Sequence, residues 1–437
     1  MNKRIDGFSK LSKEEKIAWI TQTHFENPNE ARQLLEAYWN KDTALQLRHD
    51  EFIENTLSNF YLPLGVAPNF LIDEKMYTIP MVIEESSVVA AAGNAAKFWG
   101  MRGGFKGTVI STQKTGQIHF FFQGNVEKLK LFFEANKNAL LEATDPLAKS
   151  MRKRGGGISF IELKDKRTSL ENYFQLHVGF ETADAMGANF INSCLEKIAA
   201  TFKDVALQYS EFSSEEKAIE VVMSILSNYT PDCLVKASVS CPVSELGEHE
   251  GMPPEVFAGK FVQAIAIAEK EPCRAVTHNK GIMNGIDAVA IATGNDFRAL
   301  EAGIHAYAAR DGQYRSLSKA SVEDDIFTFE LTIPLSLGTV GGLTQLHPLV
   351  KWSLELLGNP CASTLMRIVA VAGLAQNFAA VRSLVTSGIQ KGHMKMHLLN
   401  MLNQLKATKN QKVLALEYFK THLVSAKAVQ DFLTSNP

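Results

Sequence analysis

The stretch Thr277-His278-Asn279-Lys280-Gly281-Ile282-Met283-Asn284-Gly285-Ile286-Asp287 runs on, through the apolar segment Ala288 to Ala292, to Gly294-Asn295-Asp296. It sets Lys280 between what reads as a polar turn and a glycine. A lysine in a largely buried cleft needs something that stabilises its charge. A nearby carboxylate does so and also sets the lysine's pKa. Such a cation can hold an oxygen that becomes negative during a reaction. A surface lysine followed by a turn aspartate would read the same way, so the stretch needs partners elsewhere in the chain.

Three further segments carry groups of this kind. Pro80-Met81-Val82-Ile83-Glu84-Glu85-Ser86-Ser87-Val88-Val89-Ala90 places two carboxylates between an apolar, strand-like run and a small-residue segment. A carboxyl group that donates a proton near neutral pH needs burial or a like charge to raise its pKa. Asp184-Ala185-Met186-Gly187-Ala188-Asn189 opens a helical pattern with small residues. Backbone N–H groups and the helix dipole can bind a pyrophosphate there, although a plain capped helix has the same pattern. Lys391-Gly392-His393-Met394 sets a histidine after a glycine, and imidazole gives and regains a proton readily near neutral pH. His397 lies one helical turn further on. The two histidines could ligate a metal, but no third ligand is near them and no metal is expected.

Together with Glu54-Asn55 and Pro63-Leu64-Gly65-Val66-Ala67, these motifs resemble, in order, the 3-hydroxy-3-methylglutaryl-coenzyme A (HMG-CoA) reductase family in its soluble bacterial form, class II. The resemblance extends from Arg4 to about His397. It implies reduction of (S)-HMG-CoA to mevalonate and free coenzyme A by two reduced nicotinamides, as a step toward isoprenoids. It assigns Lys280 to the oxyanion and Asp296 to an interaction with Lys280. Glu85 becomes the proton donor at the aldehyde stage, and His393 the donor to the coenzyme A thiolate. Glu85 is preferred to Glu84 because the family's glutamate stands just before the step to a substrate-contacting serine, Ser87 here. Arg274 and Asn284 match residues that hold the substrate's carboxylate and hydroxyl region, and arginine's planar fork suits a carboxylate. Gln376 is a further polar candidate.

The resemblance makes Asp184, Ala185, Met186, Gly187, Ala188 and Asn189 the cofactor motif, with His177 upstream. A second cofactor segment, Gly338-Thr339-Val340-Gly341-Gly342-Leu343-Thr344, contributes Gly341 and Gly342 and departs from the pattern at Leu343, where glycine or alanine is usual. The basic run Ala148-Lys149-Ser150-Met151-Arg152-Lys153-Arg154 has Asp145 as its only nearby acid. It favours NADPH over NADH and nominates Lys149 and Arg152 as contacts for the extra phosphate. The family works as dimers with the active site at the subunit interface, so a homodimer or an assembly of dimers is expected. The same enzyme can run oxidatively on mevalonate. A coenzyme A-binding protein of the same fold without turnover is the rival reading.

The elements that must position these residues are legible in outline. Ser12 with Glu15 has the capping-box spacing, and a second helix is expected near Asn29 to Trp39. A strand should precede Glu85 and a helix should follow from Val89. Thr108–Thr112 and Gln117–Phe122 flank Lys114-Thr115-Gly116 in a hairpin pattern. Val126 to Ala143 is amphipathic, Ile158–Leu163 and Tyr173–Val178 are strand candidates, and a helix begins near Asp184. No GxGxxG follows a strand and no P-loop occurs, so a doubly wound nucleotide fold is not expected. The expectation is an α+β protein. A large substrate domain (1–107 and 220–387) carries an inserted small non-Rossmann, ferredoxin-like cofactor domain (108–219). A C-terminal flap of two amphipathic helices (388–437) hinges near Gly388 or Gly392.

With 437 residues the chain is long enough for more than one core. Its net charge of −2 gives no overall field for nucleic acid or anionic membrane. Cys194, Cys233, Cys241, Cys273 and Cys361 form no CxxC or Cys/His cluster, which fits reduced thiols in a cytosolic protein. Of these, Cys273 stands beside Arg274. Met1-Asn2-Lys3-Arg4-Ile5-Asp6 lacks a signal-peptide core. No apolar run was expected to approach membrane-spanning length, and Ile368 to Leu374 soon reaches Gln376 and Asn377.

Overall fold

The computed structural model describes residues 4–386, 388 and 398–436. The chain divides at Pro63. The first unit is helical: α1 (Lys13–His24), α2 (Pro28–Ala37) and α3 (Thr43–Asp50). Ser12 and Glu15 form the expected capping box. The Lys13 ammonium pairs with Asp50 at 2.7 Å and lies over the Trp39 ring.

The second unit, Leu64–Pro437, opens with the antiparallel pair β1 (Leu64–Ile72) and β2 (Lys75–Val82). Asp73 and Glu74 make the tight turn between them, both at positive φ. Next come α4 (Val88–Gly100), β3 (Lys106–Val109), β4 (Lys114–Phe121), α5 (Val126–Glu142), α6 (Asp145–Arg152), β5 (Gly157–Asp165), β6 (Tyr173–Glu181), α7 (Ala188–Gln208) and β7 (Glu220–Leu226). They are followed by β8 (Leu234–Pro242), α8 (Pro254–Lys270), α9 (Pro272–Ala292), α10 (Phe297–Ala308), β9 (Ser318–Glu323) and β10 (Ile326–Pro334). Helices α11 (Leu343–Leu346), α12 (Pro348–Leu356) and α13 (Ala362–Val385) lead to the C-terminal part.

Two four-stranded antiparallel sheets organise this unit, ordered β3-β8-β10-β9 and β5-β6-β4-β7. The second sheet, with its helices in the order β4-α5-α6-β5-β6-α7-β7, is the ferredoxin-like arrangement. Two expectations change here. The hairpin across Lys114-Thr115-Gly116 does not form. These three residues are buried strand positions paired with Phe180, Gly179 and Val178, whereas β3 joins β8 in the other sheet. The inserted sheet also extends past residue 219, because β7 supplies its edge. Gly116 admits this packing, since a Cβ there would lie 2.5 Å from Leu195.

The larger core gathers around α9 and α13. A Cβ on Gly285 would lie 2.5 Å from the Ala372 carbonyl oxygen, and one on Gly373 would lie 2.9 Å from Ile286. The two helices therefore approach backbone to backbone, which fixes the positions of the polar side chains they share. Helix α13 is long and apolar enough to cross a membrane by length and composition, contrary to the expectation from Ile368 to Leu374. Its apolar residues are buried instead against α9, α4, α8 and strands of the first sheet. A separate small core, including Leu398, Leu402, Ala415, Phe419 and Val429, unites a helix at 398–404 (α14), α15 (Lys409–Tyr418) and α16 (Ala426–Ser435). Among the described residues of this part there are thus three helices rather than two.

Candidate active site in two halves

The first half is a cavity of about 300 Å³ between the turn after β2, the middle of α9 and the last turns of α13. Glu85, Ser87, Arg274, Lys280, Asn284 and Gln376 all line it. Lys280 is not flanked by a turn: Thr277 to Asn284 is continuous helix, and Lys280 and Asn284 stand one helical turn apart on one face. The Lys280 ammonium donates to Glu85 Oε2 at 2.7 Å, and Asn284 Nδ2 donates to the same oxygen at 3.4 Å. Glu84 is exposed and does not line the cavity, so the structure brings Glu85 rather than Glu84 to the lysine. Ser87 sits at positive φ (77°) at the start of α4. Such a conformation is uncommon for serine and costs energy that the surroundings must offset.

Two features of the lining suit an anionic, polar ligand. Among the described residues no ion pair holds the half-buried Arg274 guanidinium. The Oε1 of Gln376 is buried without a partner on a side chain that is only 6% exposed. An orphaned buried acceptor is costly unless a ligand or water satisfies it. Cys273 is exposed on the first turn of α9 and lies outside the lining.

Sequence reasoning missed His278 and Asn377. Both line the cavity and both are buried. The His278 Nε2 bonds with Ser318 Oγ at 2.7 Å, and Ser318 Oγ donates to Asn377 Oδ1 at 2.7 Å. This network joins α9, β9 and α13. Burial, with a smaller contribution from Arg274, lowers the His278 pKa to about 3, so the imidazole is neutral. The signal was its position two residues before Lys280.

The second half lies around the Asp184 turn. A cavity of about 360 Å³ is lined by Ala185 to Asn189, Asp296, Gly341 and Gly342, together with Arg154. The turn is tied down on several sides. The Asp184 carbonyl accepts from Thr339 N at 2.8 Å, its carboxylate accepts from Ala362 N at 2.7 Å, and Ala185 bridges to Val340. A Cβ on Gly338 would lie 2.4 Å from Met186 N, so this crossing requires glycine. Helix α7 begins at Ala188 after Gly187 without a side-chain cap, and Ala188, Asn189 and Phe190 line the cavity. Leu343 lines the cavity at the start of α11. Of the basic run, Arg154 reaches the cavity. Lys149 is exposed outside it, and Arg152 is held by Asp145 at 2.6 Å. His177 stacks on Phe160 and bonds with Gln117, away from this lining.

Asp296 belongs to this second half and does not meet Lys280 within the chain. Its carboxylate caps α10 through Arg298 N and Ala299 N and pairs with the Arg298 guanidinium at 2.9 Å. Burial acts to raise its pKa, but the hydrogen bonds from Arg298 and Ala299 outweigh that and hold the carboxyl below its ordinary value. The helix from Lys280 to Ala292 alone separates the two residues by about 18 Å at ~1.5 Å per residue. His393 and His397 lie outside the described residues, as do Lys391 and Gly392. Among the described residues no cluster of His, Cys, Asp and Glu suits a metal ion.

Residues 12–398 match the family model for hydroxymethylglutaryl-coenzyme A reductase. The chain is 39% identical over 411 residues to the 3-hydroxy-3-methylglutaryl-coenzyme A reductase of Archaeoglobus fulgidus, covering 93% of this chain and 88% of that protein. It is 34% identical over 391 residues to the probable enzyme of Borreliella burgdorferi, covering 88% and 86%. Among solved structures, the class II reductase from Streptococcus pneumoniae bound to NADPH in open conformations shares 36% identity and a TM-score of 0.72, over 87% of this chain and 99% of that one. Another structure of the Streptococcus pneumoniae reductase covers 99% of each chain, with 34% identity and a TM-score of 0.73. The chain therefore belongs to the hydroxymethylglutaryl-coenzyme A reductase family and has the fold of its class II members.

Proposed function

We propose that this chain reduces (S)-HMG-CoA to mevalonate and coenzyme A, working in the biosynthetic direction in the cytoplasm. The observation that carries this reading is the convergence of Glu85, Lys280, Asn284, Arg274 and Gln376 on one cavity. Arg274 takes the substrate's carboxylate in a two-pronged contact. Asn284, Ser87 and the orphaned Gln376 amide receive its hydroxyl and carbonyl groups. Lys280 holds the thioester oxygen as it becomes negative in the tetrahedral thiohemiacetal. The family resemblance assigns Glu85 the proton delivered as the aldehyde oxygen is reduced; paired with the Lys280 ammonium, its carboxylate passes on a proton that it first takes up from that ammonium or from solvent. His393 is assigned the proton for the departing thiolate by the family resemblance.

The cofactor is NADPH, which when bound supplies the two hydrides in successive turns. The fit of the second half supports it: a helix N-terminus, a turn held open by glycines, and Arg154 in the wall. The reductase from Streptococcus pneumoniae with the same fold is bound to NADPH. The five free cysteines, three of them buried, suit a reducing compartment.

The separation of the two halves supports a homodimer. Lys280 and Asp296 cannot meet through one straight helix, so a site that uses both takes Lys280 from one copy and Asp296 with the cofactor turn from another. The deciding assay is HMG-CoA-dependent loss of reduced-nicotinamide absorbance, run with NADPH and NADH in parallel and with mevalonate in reverse. Binding of HMG-CoA without turnover in either direction would overturn the proposal.

A further inference from the structure

Lys114 opens β4 opposite Phe180 and is only 4% exposed. Its ammonium donates to Thr182 Oγ1 at 2.5 Å and to the Ala185 carbonyl at 2.9 Å. Thr182 Oγ1 also donates to that carbonyl, at 2.6 Å. No carboxylate forms an ion pair with Lys114 among the described residues. Glu181, at the end of β6, accepts from Thr112 instead. Burial pushes the lysine's pKa down, opposed by the nearby Cys233 and Glu181.

An ammonium surrounded by neutral acceptors carries a desolvation cost that an apolar side chain of similar length would avoid. What Lys114 touches is the cofactor turn. It lines a third cavity, of about 320 Å³, whose wall it shares with Met186, Ala188 and Asp296. The other acceptors of the turn are held from the large domain, by Thr339 and Ala362. The Ala185 carbonyl is the one fixed from the inserted sheet. In a trans peptide the N–H points opposite to the C=O. Drawing the Ala185 carbonyl toward Lys114 therefore turns the Met186 N–H to the other face of the turn.

We infer that Lys114 is a positioning residue for the cofactor: its buried ammonium fixes the Ala185–Met186 peptide and adds positive charge beneath the N-terminus of α7, favouring an anionic diphosphate there. This rests on the reduced-nicotinamide reading above. The two consequences have opposite signs. Removing the charge relieves the cost of burying it, and it also weakens the hold on the cofactor.

The test uses the full-length protein and equilibrium binding of NADPH, followed by its fluorescence, beside thermal melts and amide exchange of residues 183–188. Lys114→Met is expected to raise the Kd for NADPH about tenfold, through the freed Ala185–Met186 peptide and the lost positive charge near the cofactor. Its melting temperature should be equal to or above wild type, while exchange across 183–188 speeds up. Added salt should weaken the wild type more than the variant. Thr182→Val should raise Kd in the same direction by a smaller factor. Wild-type affinity in Lys114→Met, to within about twofold, overturns the inference while leaving the cofactor reading standing. A lower melting temperature, or loss of a cooperative melt, shows a packing role and also overturns it. Failure of the wild-type chain itself to bind NADPH overturns both.

Discussion

Lys280 and Glu85 form one unit: the ammonium in the middle of α9 donates to the carboxylate on the turn after β2 at 2.7 Å, with the side chains 60% and 38% exposed. The cation and the acid of the proposed reaction are thus already joined before any substrate enters. Asn284 shares the same carboxylate oxygen. The pair is open to solvent and so adds little to stability, which leaves it free to be tested by substitution.

Lys280→Ala should lower kcat on the order of a hundredfold or more, the loss typical of a missing oxyanion donor. Its melting temperature should stay at the wild-type value. Steady-state kinetics and a thermal melt decide it. A near-normal kcat in a folded variant would exclude Lys280 from the chemistry.

The proposed two-copy site makes a prediction that no single-chain site shares. Lys280→Ala and Asp296→Asn should each be nearly inactive alone. Co-expressed, they should form mixed dimers in which one of the two composite sites is intact, restoring about a quarter of wild-type activity under random pairing in a two-fold symmetric dimer. Activity no higher than that of the separate variants would place both residues in the same subunit's site.

Arg154 lines the cofactor cavity, whereas Arg152 is held by Asp145. Arg154→Ala should therefore raise the KM for NADPH several-fold more than the KM for NADH, because only NADPH carries the extra phosphate. Lys149→Ala and Arg152→Ala should change the ratio little. Equal effects of Arg154→Ala on both cofactors would place that phosphate elsewhere.

The neutral His278 has a pH signature. Its pKa falls from an ordinary 6.5 to about 3 in the folded protein. Between those values the unfolded chain binds the proton and the folded chain does not. Its contribution to stability is therefore complete above pH 6.5 and is lost as the pH falls toward 3. His278→Gln should show a shallower loss of melting temperature over that interval than wild type, measured by calorimetry in matched buffers. Parallel curves would mean that other groups carry the acid sensitivity.

Much of this site was legible because its chemistry sits in short, unbroken motifs. The Lys280 stretch, the Glu85 turn and the Asp184 turn each lie within a few residues of chain, and local residue types suffice to mark them. The sequence was silent where distant segments compete for partners. Lys114-Thr115-Gly116 reads as a turn, yet each residue is taken up by a pairing with β6 that only the tertiary fold supplies. Asp296 was expected to interact with Lys280, but within one chain its contacts are the local ones, the α10 cap and Arg298, so the sequence did not show that the proposed site needs a second copy to bring the two together. His278 was overlooked because its value comes from Ser318 and Asn377, which arrive from other elements. The basic run was expected to reach the cofactor through Lys149 and Arg152, but helical spacing on α6 and the turn after it bring Arg154 to the cavity instead.

Helix α9 carries Lys280 at its middle and delivers Asp296 just past its end. It therefore acts as a ruler. Losing one residue between them would shorten the span by only ~1.5 Å but swing everything beyond by about 100°. Lys280 would still meet Glu85, and the Asp184 turn would still be built, yet the two ends would face new directions relative to each other. In the proposed dimer that shares the site, the length of this helix is then a quantity that the pairing of copies measures, and it can change only in steps that restore the same face.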